Sequence, residues 1–176
     1  MKKSKNTFKD GESCSIIIPT KDNPEYLKLA LESVLKQSYP LELIEIIVVD
    51  NSSRKSAEQL VQSYSNMINI KYKHVLTAKR NLSKLRNEGV KLAANDYLIF
   101  IDSDILLCRD FVKVHMAVLS SAERIASLGY VAGYNKNNDD VYTLDYIKKN
   151  KDAVLKFLPE SEREKKFQNV KVNILF

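Results

Sequence analysis

Ile44-Glu-Ile-Ile-Val-Val-Asp50 decides the fold. A near-continuous β-branched apolar run that ends on a carboxylate is the pattern of a strand buried on both faces. Two further stretches share it. Cys14-Ser-Ile-Ile-Ile-Pro19 closes on proline, and Tyr97-Leu-Ile-Phe-Ile-Asp102 closes on a second carboxylate. Ile68–Val75 alternates like a shorter strand.

Helical patterns fill the intervals. Asn23-Pro24 opens the first with a polar cap and a proline at the first helical position. Leu27, Ala30, Leu31, Val34 and Leu35 then share one face, and Tyr39-Pro40 stops it. Ser56–Asn66 has helical spacing, and Leu82, Leu85, Gly89, Leu92 and Ala93 form the stripe of another helix. Strands separated by helices make parallel βαβ units with right-handed crossovers. The class is therefore α/β, a mostly parallel sheet flanked by helices.

Beyond the third apolar strand, Arg109–Ser121 reads as a helix and Ala126–Gly133 as a strand. Asn135–Asp140 is a polar break, Thr143–Leu158 an amphipathic helix, and Val170–Phe176 a strand-like run in which the chain stops. This organisation predicts a basic tail over residues 1–13, an α/β core over 14–134, and an extension of the same domain over 135–176 that reads as an incomplete acceptor part.

Length and composition bound the function. The 176 residues suit one domain, and 44% apolar with 28% charged residues is an ordinary globular balance. Lys and Arg number 28 against 22 Asp and Glu, a net of +6, with Lys2, Lys3, Lys5 and Lys9 gathered in the tail. Cys14 and Cys108 are too few for a disulfide framework or a thiolate metal site and read as reduced thiols. No run approaches a membrane span and the first residues lack a signal-peptide core, so the expected location is cytoplasmic. His74 and His115 have no metal spacing and read as structural or surface residues. Lys79, Arg80 and Lys84 form a basic cluster that suits phosphates or plain solvent.

In an open parallel sheet, ligands bind beyond the carboxyl ends of the strands. Here those ends carry Pro19-Thr20-Lys21-Asp22, Asp50-Asn51-Ser52-Ser53 and Asp102-Ser103-Asp104. One acidic residue after a strand is commonly a helix cap. Three such ends, one of them an Asp-x-Asp, suit a hard divalent cation, Mn²⁺ or Mg²⁺. The four glycines form neither a Gly-x-Gly-x-x-Gly nor a Walker A loop. Nucleotide phosphates would therefore need a metal in place of a glycine cradle.

Several runs, taken in order, resemble family 2 glycosyltransferases. They are Ser15-Ile-Ile-Ile-Pro-Thr-Lys-Asp-Asn-Pro-Glu-Tyr-Leu27, Leu31-Glu-Ser-Val-Leu-Lys-Gln-Ser-Tyr-Pro40, Ile46-Ile-Val-Val-Asp-Asn-Ser-Ser53, Lys84-Leu-Arg-Asn-Glu-Gly89 and Tyr97-Leu-Ile-Phe-Ile-Asp-Ser-Asp104. The resemblance covers roughly residues 14–119. It implies a GT-A fold and a nucleoside-diphosphate sugar donor, usually a UDP-sugar. It also implies that Pro19, Thr20, Asp22 and Asn51 line the nucleotide pocket and that Asp50 hydrogen-bonds the base. Arg86 would complete the pocket, Asp102 and Ser103 would face the ribose side, and Asp104 with Asp102 would hold the metal on the diphosphate.

The resemblance further implies an inverting transfer to an acceptor hydroxyl, which needs a general base. Nothing after Asp104 reproduces the family's acidic pair, and the chain has no Trp for the Gln-x-x-Arg-Trp motif of processive members. Asp139, Asp140 and Glu160, with Asp145 and Glu162, are candidates by residue type alone. The expected partners are the nucleotide-sugar donor and a hydroxyl acceptor, whether a glycan, a lipid-linked glycan or a small molecule. Peripheral attachment at the inner membrane face follows if that acceptor is lipid-linked, and the oligomeric state stays open. The alternative is a nucleotide-sugar-binding module without efficient transfer. A nucleic-acid partner is not expected, because the acidic strand ends would repel its phosphates.

Overall fold

The computed structural model describes residues 11–55, 57–77 and 81–129. Four strands, β1 (Cys14–Thr20), β2 (Ile44–Asp50), β3 (Asn69–His74) and β4 (Tyr97–Phe100), form one sheet in the order β3-β2-β1-β4. Every pairing is parallel. The helices are α1 (Pro24–Leu35), α2 (Glu58–Gln62), α3 (Leu82–Leu92) and α4 (Phe111–Leu119), with a 3-10 turn at Leu41–Leu43. This is the mostly parallel α/β arrangement expected from the apolar runs.

All residues of β1 and β2 are buried, which is why those strands read as continuous apolar runs rather than alternations. Ile16, Ile18, Ile46 and Val48 pack on one face with Leu27, Leu31 and Val34 of α1, Val61 of α2, and Val112 and Met116 of α4. Ile17, Ile47 and Val49 pack on the other face with Leu85 of α3. Each fully buried aliphatic side chain contributes about 1.5–3 kcal/mol. α3 approaches the sheet closely at Gly89, where a Cβ would stand 2.4 Å from Ile17 Cγ2. Among the described residues β3 is an edge strand, and its exposed Asn69 and Lys73 blunt that edge against pairing with another chain.

One buried charge sits at the amino-terminal end of the sheet. Glu45 accepts from Ser15 Oγ at 2.6 Å and from Ala94 N at 2.9 Å, and its other oxygen lies 2.5 Å from Lys71 Nζ. Burial pushes its carboxyl up, but the Ala94 amide, Lys71 and Ser15 outweigh it and hold the group below its ordinary value. Cys14 is a buried free thiol pushed up to about 12 by burial, and Cys108 is a free, partly exposed one.

Several boundaries differ from expectation. The helix read over Ser56–Asn66 is only Glu58–Gln62, because the Ser63 and Ser65 hydroxyls bond the Leu60 and Gln62 carbonyls and the chain tightens into turns. The third apolar strand ends at Phe100 rather than Asp102. Ile101 N still donates to Ile17 O at 3.2 Å, but the Ile105 amide then closes a turn onto the Asp102 carbonyl. Asn23 precedes α1 as expected, yet its side chain makes no capping bond, whereas Asn81 caps α3 by accepting from Lys84 N. The helix read over Arg109–Ser121 is Phe111–Leu119. Residues 126–129 are not strand, and the rest of that segment, with Asp139, Asp140, Asp145, Glu160, Glu162 and the later helix and strand, lies outside the described residues.

Candidate functional site at the strand ends

Parallel register sets Thr20, Asp50 and His74 side by side at the carboxyl edge of β1, β2 and β3. The loops that leave these strands are stitched to one another by side chains. Asp50 is wholly buried, and both carboxylate oxygens are engaged inside the chain. Oδ1 accepts from the amide of Ser52 at 2.8 Å and from its hydroxyl, while Oδ2 accepts from Tyr72 OH at 2.8 Å and Ala57 N at 3.4 Å. Burial and then the bond to Asp50 push the Tyr72 phenol well above its ordinary range.

Ser52 is the hub. Its hydroxyl accepts the Asp22 amide at 2.7 Å, and its carbonyl lies 2.6 Å from His74 Nε2, which must carry a proton to make that bond. Asp22 sits at φ +52°, in the left-handed region that an aspartate seldom adopts. Asn51 joins the remaining loop: its amide donates to Thr20 O at 2.9 Å, Nδ2 to Val75 O at 2.7 Å, and Oδ1 accepts from Thr77 Oγ1 at 3.1 Å. Thr20, Asp22, Asn51 and Ser52 thus form one connected floor, with the Asp22 side chain exposed above it. Pro19 is buried within β1 opposite Val49.

On the other side of β1 lies the acidic turn. Arg86, projecting from α3, places Nη2 2.9 Å from Asp102 Oδ1. With side chains 37% and 52% exposed, the pair is worth at most about 1 kcal/mol. Arg86 Nε is enclosed with no hydrogen-bond partner among the described residues. Ser103 and Asp104 follow in the turn, with Asp104 exposed.

Asp102 and Asp104 supply hard carboxylate oxygens, the donor chemistry of Mg²⁺ or Mn²⁺. No group of three or more His, Cys, Asp or Glu gathers among the described residues. A cation shared with substrate phosphates needs only one or two protein carboxylates, so the residues present fit such an ion.

Residue types and spacing singled out Thr20, Asp22, Asp50, Asn51, Arg86, Asp102 and Asp104. The sheet brings the first four into one hydrogen-bonded group and pairs Arg86 with Asp102 across the chain. Sequence reasoning gave no part to Tyr72, His74 or Thr77, and no role to Ser52 within its motif. Tyr72 and His74 do recur two residues apart on one strand face, a signal visible only once the end of β2 is known to be their neighbour.

This geometry defines an α/β protein whose candidate ligand site lies beyond the carboxyl ends of a parallel sheet. The profile of the family described as Glycosyl transferase family 2 matches residues 15–174, and the chain belongs to that family. It is 32% identical over 99 residues to poly(ribitol-phosphate) beta-N-acetylglucosaminyltransferase TarS of Staphylococcus aureus, covering 56% of this chain and 17% of TarS. Identity to the chondroitin synthase of Escherichia coli is 27% over 118 residues, covering 67% of this chain and again 17% of the relative. The structure of S. aureus TarS 1–349 in complex with UDP superposes with a TM-score of 0.57 at 30% identity, covering 61% of this chain and 32% of that one. The chain therefore spans about a sixth of the length of these two curated relatives. The sheet and its flanking helices are those of the GT-A arrangement.

Proposed function

We propose that the chain forms the donor site of a glycosyltransferase that moves a sugar from a nucleoside diphosphate, UDP above all, to an acceptor hydroxyl with inversion at the anomeric carbon. The observation that carries this reading is the Asp102–Asp104 turn standing at the same strand edge as the Thr20–Asp22–Asn51 floor. TarS, solved with UDP bound, supports the choice of nucleotide.

Thr20, Asp22 and Asn51 line the base and ribose end of this site, and Asp102 and Asp104 hold a divalent cation at the diphosphate end. When bound, that cation neutralises charge building on the departing diphosphate. Asp50 stands at the base end, where it hydrogen-bonds the base, and its carboxylate also holds Ser52 in place. Arg86 exchanges Asp102 for a phosphate oxygen when donor enters, a swap that its partly exposed ion pair permits. The acceptor oxygen forms the new bond to the anomeric carbon. The old bond breaks toward the diphosphate, which leaves with the electron pair, and the acceptor proton passes to a general base.

Calorimetric titration of UDP with and without MnCl₂ tests the donor site: binding that strengthens with Mn²⁺ is expected, and no binding in either condition would sink the reading. The second reading is a nucleotide-sugar-binding module without efficient transfer. Consumption of UDP-sugar in the presence of hydroxyl acceptors separates the two.

A further inference from the structure

The Asp102–Asp104 turn has no regular structure of its own, yet both of its flanks are fixed. On one side Ile101 is buried and its amide is bonded to Ile17 O. On the other side the chain is held by the last turn of α1 and the residues just after it. The amide of Leu107 donates to Ser33 Oγ at 3.1 Å, and Ser33 Oγ in turn donates to Ala30 O at 2.7 Å. Gln37 Nε2 donates to Cys108 O at 2.8 Å, and Gln37 Oε1 accepts the Val112 amide at 2.9 Å, the latter within the first turn of α4. Ser38 adds its amide to Arg109 O at 2.8 Å and its hydroxyl to Asp110 Oδ1 at 2.6 Å. Only residues 102–106 lie between the two anchors.

Ser33 and Gln37 are polar side chains buried against the core, where an apolar residue would pack without a desolvation cost. Each also bonds its own helix, Ser33 Oγ to Ala30 O and Gln37 Nε2 to Ser33 O at 3.1 Å, and each reaches from there to the backbone of one segment, the continuation of the acidic turn. α1 is itself seated in the core through Leu27, Leu31 and Val34. The path therefore runs from the core to α1 to the segment on which the turn ends. Two carboxylates that must meet a small hard cation at a strict distance tolerate little drift. We infer that Ser33, Gln37 and Ser38 are positioning residues of the donor site, setting where Asp102 and Asp104 stand for the diphosphate end. The inference rests on the donor-site reading above.

The test uses the full chain and two probes: uridine, which has no phosphates, followed by ligand-observed NMR, and UDP titrated calorimetrically with and without MnCl₂. The variants are Gln37→Met, which keeps nearly the volume but removes all three side-chain bonds, and Ser38→Ala, which removes an exposed hydroxyl and leaves the core untouched. Gln37→Met is expected to leave uridine affinity within about twofold and to cut the Mn²⁺-dependent gain in UDP affinity by about tenfold or more, as small misplacements of site groups do. Ser38→Ala should show the same pattern at about threefold. A merely structural role would lower the melting temperature and leave both affinities of the folded protein alone. Full retention of the Mn²⁺ gain in Gln37→Met, or equal losses for uridine and UDP, overturns the inference alone. If Gln37→Met does not fold, an unchanged Mn²⁺ gain in Ser38→Ala overturns it. A wild-type chain whose UDP affinity ignores Mn²⁺ overturns the donor-site reading, and this inference with it.

Discussion

The backbone amide of Asp22 donates to the hydroxyl of Ser52 at 2.7 Å, joining the loops after β1 and β2. The same hydroxyl donates to the buried carboxylate of Asp50, so a left-handed residue at the rim is held by a charge beneath it.

Ser52→Ala should therefore act in two places. It removes one of the bonds to Asp50 and leaves the Asp22 amide unanchored, costing about 1–3 kcal/mol in urea unfolding. UDP affinity should fall with it. Asp22→Gly separates the effects, because glycine adopts φ +52° without strain. Its stability should be equal to or about 0.5–1 kcal/mol above wild type, with UDP binding weakened by the lost carboxylate. A destabilised Asp22→Gly would refute the strain argument.

Tyr72 gives the alkaline limb. Its phenol is held protonated above the ordinary value of 10.0, so above that pH the unfolded chain loses a proton that the folded chain keeps. The contribution is complete below the ordinary value and is lost as pH rises toward the folded one. Tyr72→Phe should flatten this fall in a stability-versus-pH series and cost about 1–2 kcal/mol at neutral pH. An unchanged alkaline slope would count against the Tyr72–Asp50 bond.

Gly89→Ala tests the close approach of α3 to the sheet. The added methyl meets Ile17 Cγ2 at 2.4 Å, so a loss of about 1–3 kcal/mol is expected despite the better helix propensity of alanine. In an Ile17→Ala background, which removes that methyl, the same change should cost far less, a coupling readable in a double-mutant cycle. Additive losses would show that no contact is involved.

Asp104 is exposed, so Asp104→Asn should melt with wild type while its UDP affinity no longer rises with Mn²⁺. Retention of the full Mn²⁺ gain would remove Asp104 from the proposed metal site. Arg86→Ala should leave Mn²⁺-free behaviour near wild type in stability, because its ion pair is partly solvated and worth at most about 1 kcal/mol.

The strands were legible because burial on both faces writes itself into composition. Ile16–Ile18 and Ile46–Val49 have no polar member, and no local alternative competes with a β-branched run of that kind. The α/β class and the strand-end location of the candidate site followed from those runs and their carboxylate ends. Boundaries were less legible where hydroxyls compete for the backbone: Ser63 and Ser65 shorten α2, and the turn at Asp102 ends β4 early.

What each polar residue touches was decided by tertiary structure alone. Asp50 looks the same in sequence whether its carboxylate meets a ligand or a neighbouring loop, and it is the parallel register with β3 that brings Tyr72 and His74 to it and Ser52. Gln37 reads as the polar end of a helix until the Cys108–Val112 backbone is seen closing on its amide, from more than seventy residues away. Apolar patterning is a local record of burial, since each side chain reports its own environment. A hydrogen bond needs two partners, and where they stand far apart in the chain, only the packed sheet selects the pair.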